Sequence, residues 1–184
     1  VTVGGWLCTG AKGPNANPAC VAISKLLDEG IPAACEYDVQ AARTQLLTLS
    51  LFGRPGFMGN PSPNSVDNTF IVSHCTSALK LEGIDRPYLA PYTLRDYHAM
   101  GGVCLMVYWP LGKDATVMDF LSDKSLIVST GRVVGNNQKM AQPPSGGCRT
   151  CVEFAMNGIA NTLDIVAGHH KWCILGDYGR ELRG

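Results

Sequence analysis

The apolar positions change period once along the chain. Ala19, Ala22, Ile23 and Leu26 recur three and four residues apart, which predicts a helix that Gly30 ends. Asn17 followed by Pro18 supplies a cap and a proline at the first helical position. Val39, Ala42, Leu46 and Leu49 repeat that face behind Asp38, a capping residue, with Gly53 and Pro55 as the stop. Short apolar runs at Val1–Leu7, Ile31–Cys35 and Gly56–Gly59 flank these helices as strands. Strand, helix, strand, helix, strand in that order predicts parallel strands joined by right-handed crossovers.

The run Pro61-Ser-Pro-Asn-Ser-Val-Asp-Asn68 is a turn-rich break, and the pattern beyond it is different. Short strand candidates follow at Thr69–Ser73, Val103–Trp109, Thr116–Phe120, Leu126–Ser129, Arg132–Val134, Cys151–Ala155 and Lys171–Leu175. Helix is expected only around Asn157–Ile165. Many short strands separated by Gly, Asn and Pro predict an antiparallel barrel or sandwich. The fold class is therefore α+β: the end of a parallel α/β domain over residues 1–66, then a β-rich domain over residues 67–184.

Composition narrows the function. The chain has 184 residues with 15 basic and 15 acidic side chains, and only 16% are charged, against roughly a quarter in typical soluble domains. A nucleic-acid partner is not expected, because counterion release needs clustered Lys and Arg. A 46% apolar content excludes a disordered chain. No apolar run approaches the roughly 18 residues of a membrane helix, so no membrane role is expected. Low charge and a direct opening on Val1-Thr2-Val3 suggest a piece of a longer protein, with surface that another part covers.

Eight cysteines are many for this length. Most sit inside apolar runs, such as Val103-Cys-Leu-Met-Val107, where a free thiol packs as a small hydrophobe. Cys148-Arg-Thr-Cys151 alone has ligand or redox spacing, and one such pair makes at most half a zinc site. A reducing, cytoplasmic setting follows.

In an open parallel sheet, ligands bind beyond the carboxyl ends of the strands. Glu36 closes the run Ile31-Pro-Ala-Ala-Cys35 and is presented at that rim, although a lone loop carboxylate is commonly just solvated. Asp38 reads as the cap of the next helix. Of four histidines, His74 ends a strand candidate, and His169 and His170 precede another. Each has a plain reading as a packed or solvent-facing ring. A carboxylate with two imidazoles would instead suit a divalent cation such as Mn²⁺. Their sequence separation does not by itself bring the three together.

Two blocks of residues carry a resemblance. Ile31-Pro-Ala-Ala-Cys-Glu-Tyr-Asp-Val-Gln-Ala-Ala42, Gly56-Phe-Met-Gly-Asn60 and Asp67-Asn-Thr-Phe-Ile-Val-Ser-His-Cys75 form the first. Gly147-Cys-Arg-Thr150, Gly168-His-His-Lys-Trp-Cys-Ile-Leu-Gly-Asp177 and Arg180-Glu-Leu182 form the second. In this order they resemble the L-fucose/L-arabinose isomerase family over nearly the whole chain. The resemblance implies the C-terminal part of such a protein: the end of a Rossmann-like α/β domain and a β-barrel-like C-terminal domain. It implies an aldose–ketose isomerase that uses Mn²⁺ or another divalent cation, acts on a small sugar and assembles as a homo-oligomer. By the same resemblance Glu36 is catalytic and metal-binding, and His74 and His170 are metal ligands. His169 becomes a substrate-side or supporting group.

One position departs from the family pattern. Asn60 stands where a second carboxylate is expected. Isomerisation through an ene-diol moves a proton between C1 and C2 of the open sugar, and Asn cannot accept that proton. Either Glu36 is the only base, or another acid such as Asp67 compensates, or activity is lost and a carbohydrate-binding relative remains. Trp6, Tyr92, Tyr97 and Trp109 could stack on a sugar face or pack in the core.

Overall fold

A computed structural model describes residues 1–4, 18–97, 102–139, 149–165 and 170–183. Two helices come first: α1 (Cys20–Asp28) and α2 (Val39–Phe52). Eight strands follow: β1 (Phe57–Asn64), β2 (Thr69–His74), β3 (Tyr92–Tyr97), β4 (Gly102–Val107), β5 (Asp114–Ser122), β6 (Ser125–Asn136), β7 (Thr150–Met156) and β8 (Lys171–Leu175). A 3₁₀ turn at Thr162–Ile165 precedes β8, and a short helix α3 (Gly179–Arg183) follows it. Six strands close into a barrel in the order β1-β2-β7-β6-β5-β8, every pair antiparallel, while β3 and β4 form a separate hairpin.

This corrects the expected fold class, since no parallel Rossmann-like sheet is present among the described residues. Parallel pairing is a single bridge between Thr2 and Ala34. The physical reason lies in where the donors of residues 31–35 go. Pro32 has no N–H, the Ala33 N–H donates to Gln45 Oε1 at 2.6 Å, and the Cys35 N–H donates to Met58 Sδ at 3.3 Å. Of these residues only Ala34 turns its N–H to the N-terminal segment, donating to Val1 O at 3.0 Å, while Pro32 O and Ala34 O accept from Val1 and Val3. The Gly56–Gly59 run is not a third parallel strand either. Phe57, Met58 and Gly59 pair antiparallel with Cys173, Trp172 and Lys171 of β8.

The break expected at residues 61–68 is half strand. β1 runs through Pro61 and Pro63 to Asn64, and the turn occupies residues 65–68. Both prolines pair with β2 beyond the part of β1 that meets β8, so no second neighbour asks for their missing N–H. Leu126–Ser129 and Arg132–Val134 fuse into one long strand, β6, bent where the register shifts between Val133 and Gly135. Helix around Asn157–Ile165 shrinks to the 3₁₀ turn.

The N-cap of α1 is Ala19, with no side-chain hydrogen bond, and Asn17 lies outside the described residues. Asp38 caps α2 as its sequence position predicts, its side chain accepting from the Ala41 N–H, and Gly53 ends the helix in the left-handed conformation at φ 59°. Trp172 of β8 fastens α2 to the barrel by donating from Nε1 to Thr48 Oγ1 at 3.0 Å. Trp109 is fully buried, its ring 6.0 Å from those of both Phe57 and Phe154. Its role is core packing, and its Nε1 donates to Ser77 Oγ at 3.0 Å. Among the described residues no helix is long and apolar enough to cross a membrane.

Candidate metal centre

Where the 31–35 segment leaves the bridge, the chain makes a tight turn through two residues with positive φ, Glu36 at 57° and Tyr37 at 55°. Left-handed backbone at non-glycine residues is uncommon, and two in succession store strain that local bonds must offset. The Tyr37 N–H donates to Val3 O at 3.1 Å and the Asp38 N–H to Cys35 O at 3.0 Å, which pins the turn on both sides. Glu36 therefore projects at the junction between the N-terminal segment and the barrel, its side chain 49% exposed.

Two rings meet it. His74 is the last residue of β2 and His170 immediately precedes β8, so both sit at strand ends, and both are buried. Glu36 Oε1 lies 3.4 Å from His74 Nε2, and Glu36 Oε2 lies 3.3 Å from His170 Nε2. The rings stand edge to face with centroids 5.4 Å apart. One donor atom from each of Glu36, His74 and His170 falls within 4.8 Å of the others. Three side chains from residues 36, 74 and 170 thus converge. An open depression of about 310 Å³, lined by Glu36, Tyr37, Asp38, Val39, Gln40 and His170, leads to them.

Each ring is held from behind. His74 Nδ1 lies 3.1 Å from Thr76 Oγ1, and His170 Nδ1 lies 2.8 Å from Asp38 Oδ2. A carboxylate oxygen only accepts, so the His170 Nδ1–H donates to Asp38, and Nε2 is left facing Glu36. That Nε2 is buried and has no hydrogen-bond partner. A lone pair 3.3 Å from a carboxylate oxygen is repulsive unless a proton or a cation sits between them. The donor set, one carboxylate and two imidazoles with a second carboxylate behind one ring, fits a divalent transition metal.

The field within the cluster is mutual. The hydrogen bond from His74 holds the Glu36 carboxyl below its ordinary value, against the opposing effect of its partial burial. Burial opposes a charge on His74, but its contacts with Cys75 and Glu36 outweigh this and hold its proton to higher pH than a free imidazole.

Asn60 is exposed and pairs with Ser73, the residue before His74, and no hydrogen bond joins its side chain to the three. It shares the face of β1 with Met58, whose sulfur accepts from the Cys35 N–H. Asp67 sits in the β1–β2 turn, its carboxylate accepting from Asn64 Nδ2 at 3.1 Å. His169, Trp6 and Cys148 lie outside the described residues, as does the side chain of Tyr97. Cys151 is buried, and its Sγ accepts from Ser73 Oγ at 3.3 Å. Tyr92 is half exposed on the β3–β4 hairpin. Sequence reasoning missed two supporting residues, Thr76 and the second role of Asp38. Both stand two positions after a residue it had singled out.

No family model matches the chain, and no curated protein matches it as a relative.

Proposed function

We propose that the chain belongs to a metal-dependent aldose–ketose isomerase of the L-fucose/L-arabinose isomerase type, with Glu36, His74 and His170 as ligands of Mn²⁺ or a similar divalent cation. The observation that carries this reading is the meeting of the three side chains, with the buried His170 Nε2 facing Glu36 at 3.3 Å without a hydrogen bond. A cation held by Glu36, His74 and His170 would polarise the oxygens on the two neighbouring sugar carbons between which the hydrogen moves. Glu36 is half exposed and offers two carboxylate oxygens, so it is the group on this chain that takes the carbon-bound proton and returns it to the neighbouring carbon. Asp38 and Thr76 fix the orientation of the rings. Asn60 cannot share the proton transfer, which leaves Glu36 as sole base.

The substrate class is a small open-chain sugar. The compartment is the cytoplasm, a reading supported by the burial of the six described cysteines in the core, where a thiol packs as a small hydrophobe. The assembly is a homo-oligomer that covers the apolar rim of the depression, where Tyr37 is 60% and Val39 67% exposed. The deciding assay gives Mn²⁺ and a panel of pentoses and deoxyhexoses to the full-length protein. Turnover of one of them supports the reading, and no turnover in wild type and Asn60→Asp alike overturns it. A second reading, a silent carbohydrate-binding relative, rests on Asn60. It requires sugar binding without exchange of the C2 hydrogen for solvent deuterium, and observed exchange excludes it.

A further inference from the structure

Next to the candidate centre lies a pair of buried thiols. Cys20, the first residue of α1, and Cys75, the residue after His74, bring their sulfurs to 3.2 Å from opposite ends of a 55-residue separation. Both are buried free thiols, and Cys75 Sγ is 3.9 Å from His74 Nδ1. The sulfurs need to close by only about 1.2 Å to reach the roughly 2.05 Å of a disulfide. The other described cysteines (35, 104, 151 and 173) are also buried.

We propose that Cys20 and Cys75 are a modification site: a dithiol that a small disulfide oxidant, such as oxidised glutathione, closes into a crosslink between α1 and the end of β2. One cysteine sulfur attacks a glutathione sulfur and breaks its S–S bond. The first glutathione leaves as a thiol, carrying the proton of the attacking cysteine. The second cysteine then attacks the mixed disulfide, the Cys20–Cys75 bond forms, and the second glutathione leaves with the remaining proton. Two electrons pass from the protein to glutathione, and no other reactant is needed. Both partners are buried, so the reaction waits on local opening of the protein around them and is slow beside that of an exposed thiol.

The crosslink acts on the metal centre through one backbone step. Moving the Cys75 sulfur toward α1 turns the residue that follows His74, and the His74–Thr76 contact depends on that same short segment. The oxidised protein then holds a divalent cation at least tenfold more weakly, a consequence that rests on the metal reading, whereas the crosslink does not.

The experiment uses the full-length protein with Cys8 and Cys148 replaced by Ser, incubated with oxidised glutathione. The expected result is loss of two thiols, a peptide pair joined through Cys20 and Cys75, and full reversal by dithiothreitol. Cys20→Ala and Cys75→Ala each abolish the crosslink. An unchanged thiol count, or peptides joined elsewhere, overturns the proposal. Titration with Mn²⁺ alone, before and after oxidation, tests the consequence. Equal affinities overturn it, and reduced protein that binds no Mn²⁺ overturns it together with the metal reading, while the peptide map still decides the crosslink.

Discussion

Asp38 Oδ2 lies 2.8 Å from His170 Nδ1, across 132 positions of chain, while Oδ1 of the same carboxylate accepts from the Ala41 N–H at 2.7 Å. One side chain both starts α2 and holds Nδ1 of a ring in the candidate centre. The two tasks are separable by substitution, because capping needs one acceptor oxygen and the ring needs a second.

Asp38→Asn therefore keeps the cap and loses the tautomer. An amide NH₂ facing Nδ1 drives the ring proton to Nε2, where it blocks ligation. Mn²⁺ affinity is expected to fall about 10- to 100-fold, the usual cost of losing such a supporting partner. Thermal stability without metal should stay near wild type, whereas Asp38→Ala should lose about 1 kcal/mol with the cap. Calorimetric titration and a melting curve on each variant check both halves.

The pH dependence has a definite sign. His74 holds its proton above the ordinary 6.5, so the stability it contributes is complete below that value and is lost as pH rises through its folded-state value. Glu36 is shifted the other way, and its contribution is present above the ordinary 4.5 and is lost as pH falls through its lower folded-state value. The metal-free protein should thus melt highest in mildly acidic buffer and lower toward pH 8. Mn²⁺ binding should show the reverse trend, strengthening by up to about tenfold per pH unit for each imidazole that must shed a proton. His74→Gln should flatten the melting trend above pH 6.5, the ordinary value for the ring.

Lys171 and Asp119 form a buried ion pair between β8 and β5, Nζ to Oδ2 2.9 Å, one residue along from His170. Removing one partner strands a charge away from water. Lys171→Met is expected to cost about 3–5 kcal/mol, and the double change Lys171→Met with Asp119→Leu should recover most of that loss. Urea unfolding of the two variants separates this from a simple loss of packing, which the double variant would not restore.

Gly59 crosses β2 closely. A Cβ there would stand 2.6 Å from Val72 Cγ1 and 3.1 Å from the Ser73 carbonyl. Gly59→Ala should therefore destabilise by about 1–3 kcal/mol, and Val72→Ala in the same chain should relieve part of it. The residue displaced next along β2 is His74, so the single variant should also weaken Mn²⁺ binding, read by the same titration.

Local chemistry was legible where it is carried by near neighbours. The face of α2, its Asp38 cap and its Gly53 stop follow from residues within one or two turns of each other. The parallel sheet failed because apolar runs do not say which partner takes their donors. Pro32 withholds one, Gln45 and Met58 take two more, and a run that looks like a strand becomes a single bridge. Proline in β1 misled in the opposite direction, because its tolerance depends on whether a second strand lies alongside.

The same division holds for the candidate centre. The amino-acid sequence alone determined that a carboxylate and imidazoles stand at the ends of apolar runs, because alternation and turn residues are local properties. It also determined that Asn60 cannot serve as a base, which is a matter of functional groups. Only the closed barrel decided that Glu36, His74 and His170 share one space. Barrel closure brings the end of β2 and the start of β8 together across β1, and that adjacency is set by long-range hydrogen-bond pairing and burial rather than by any spacing along the chain. The contact between Cys20 and Cys75 and the second task of Asp38 were decided in the same way, since each joins residues whose neighbourhood exists only after the sheet has closed.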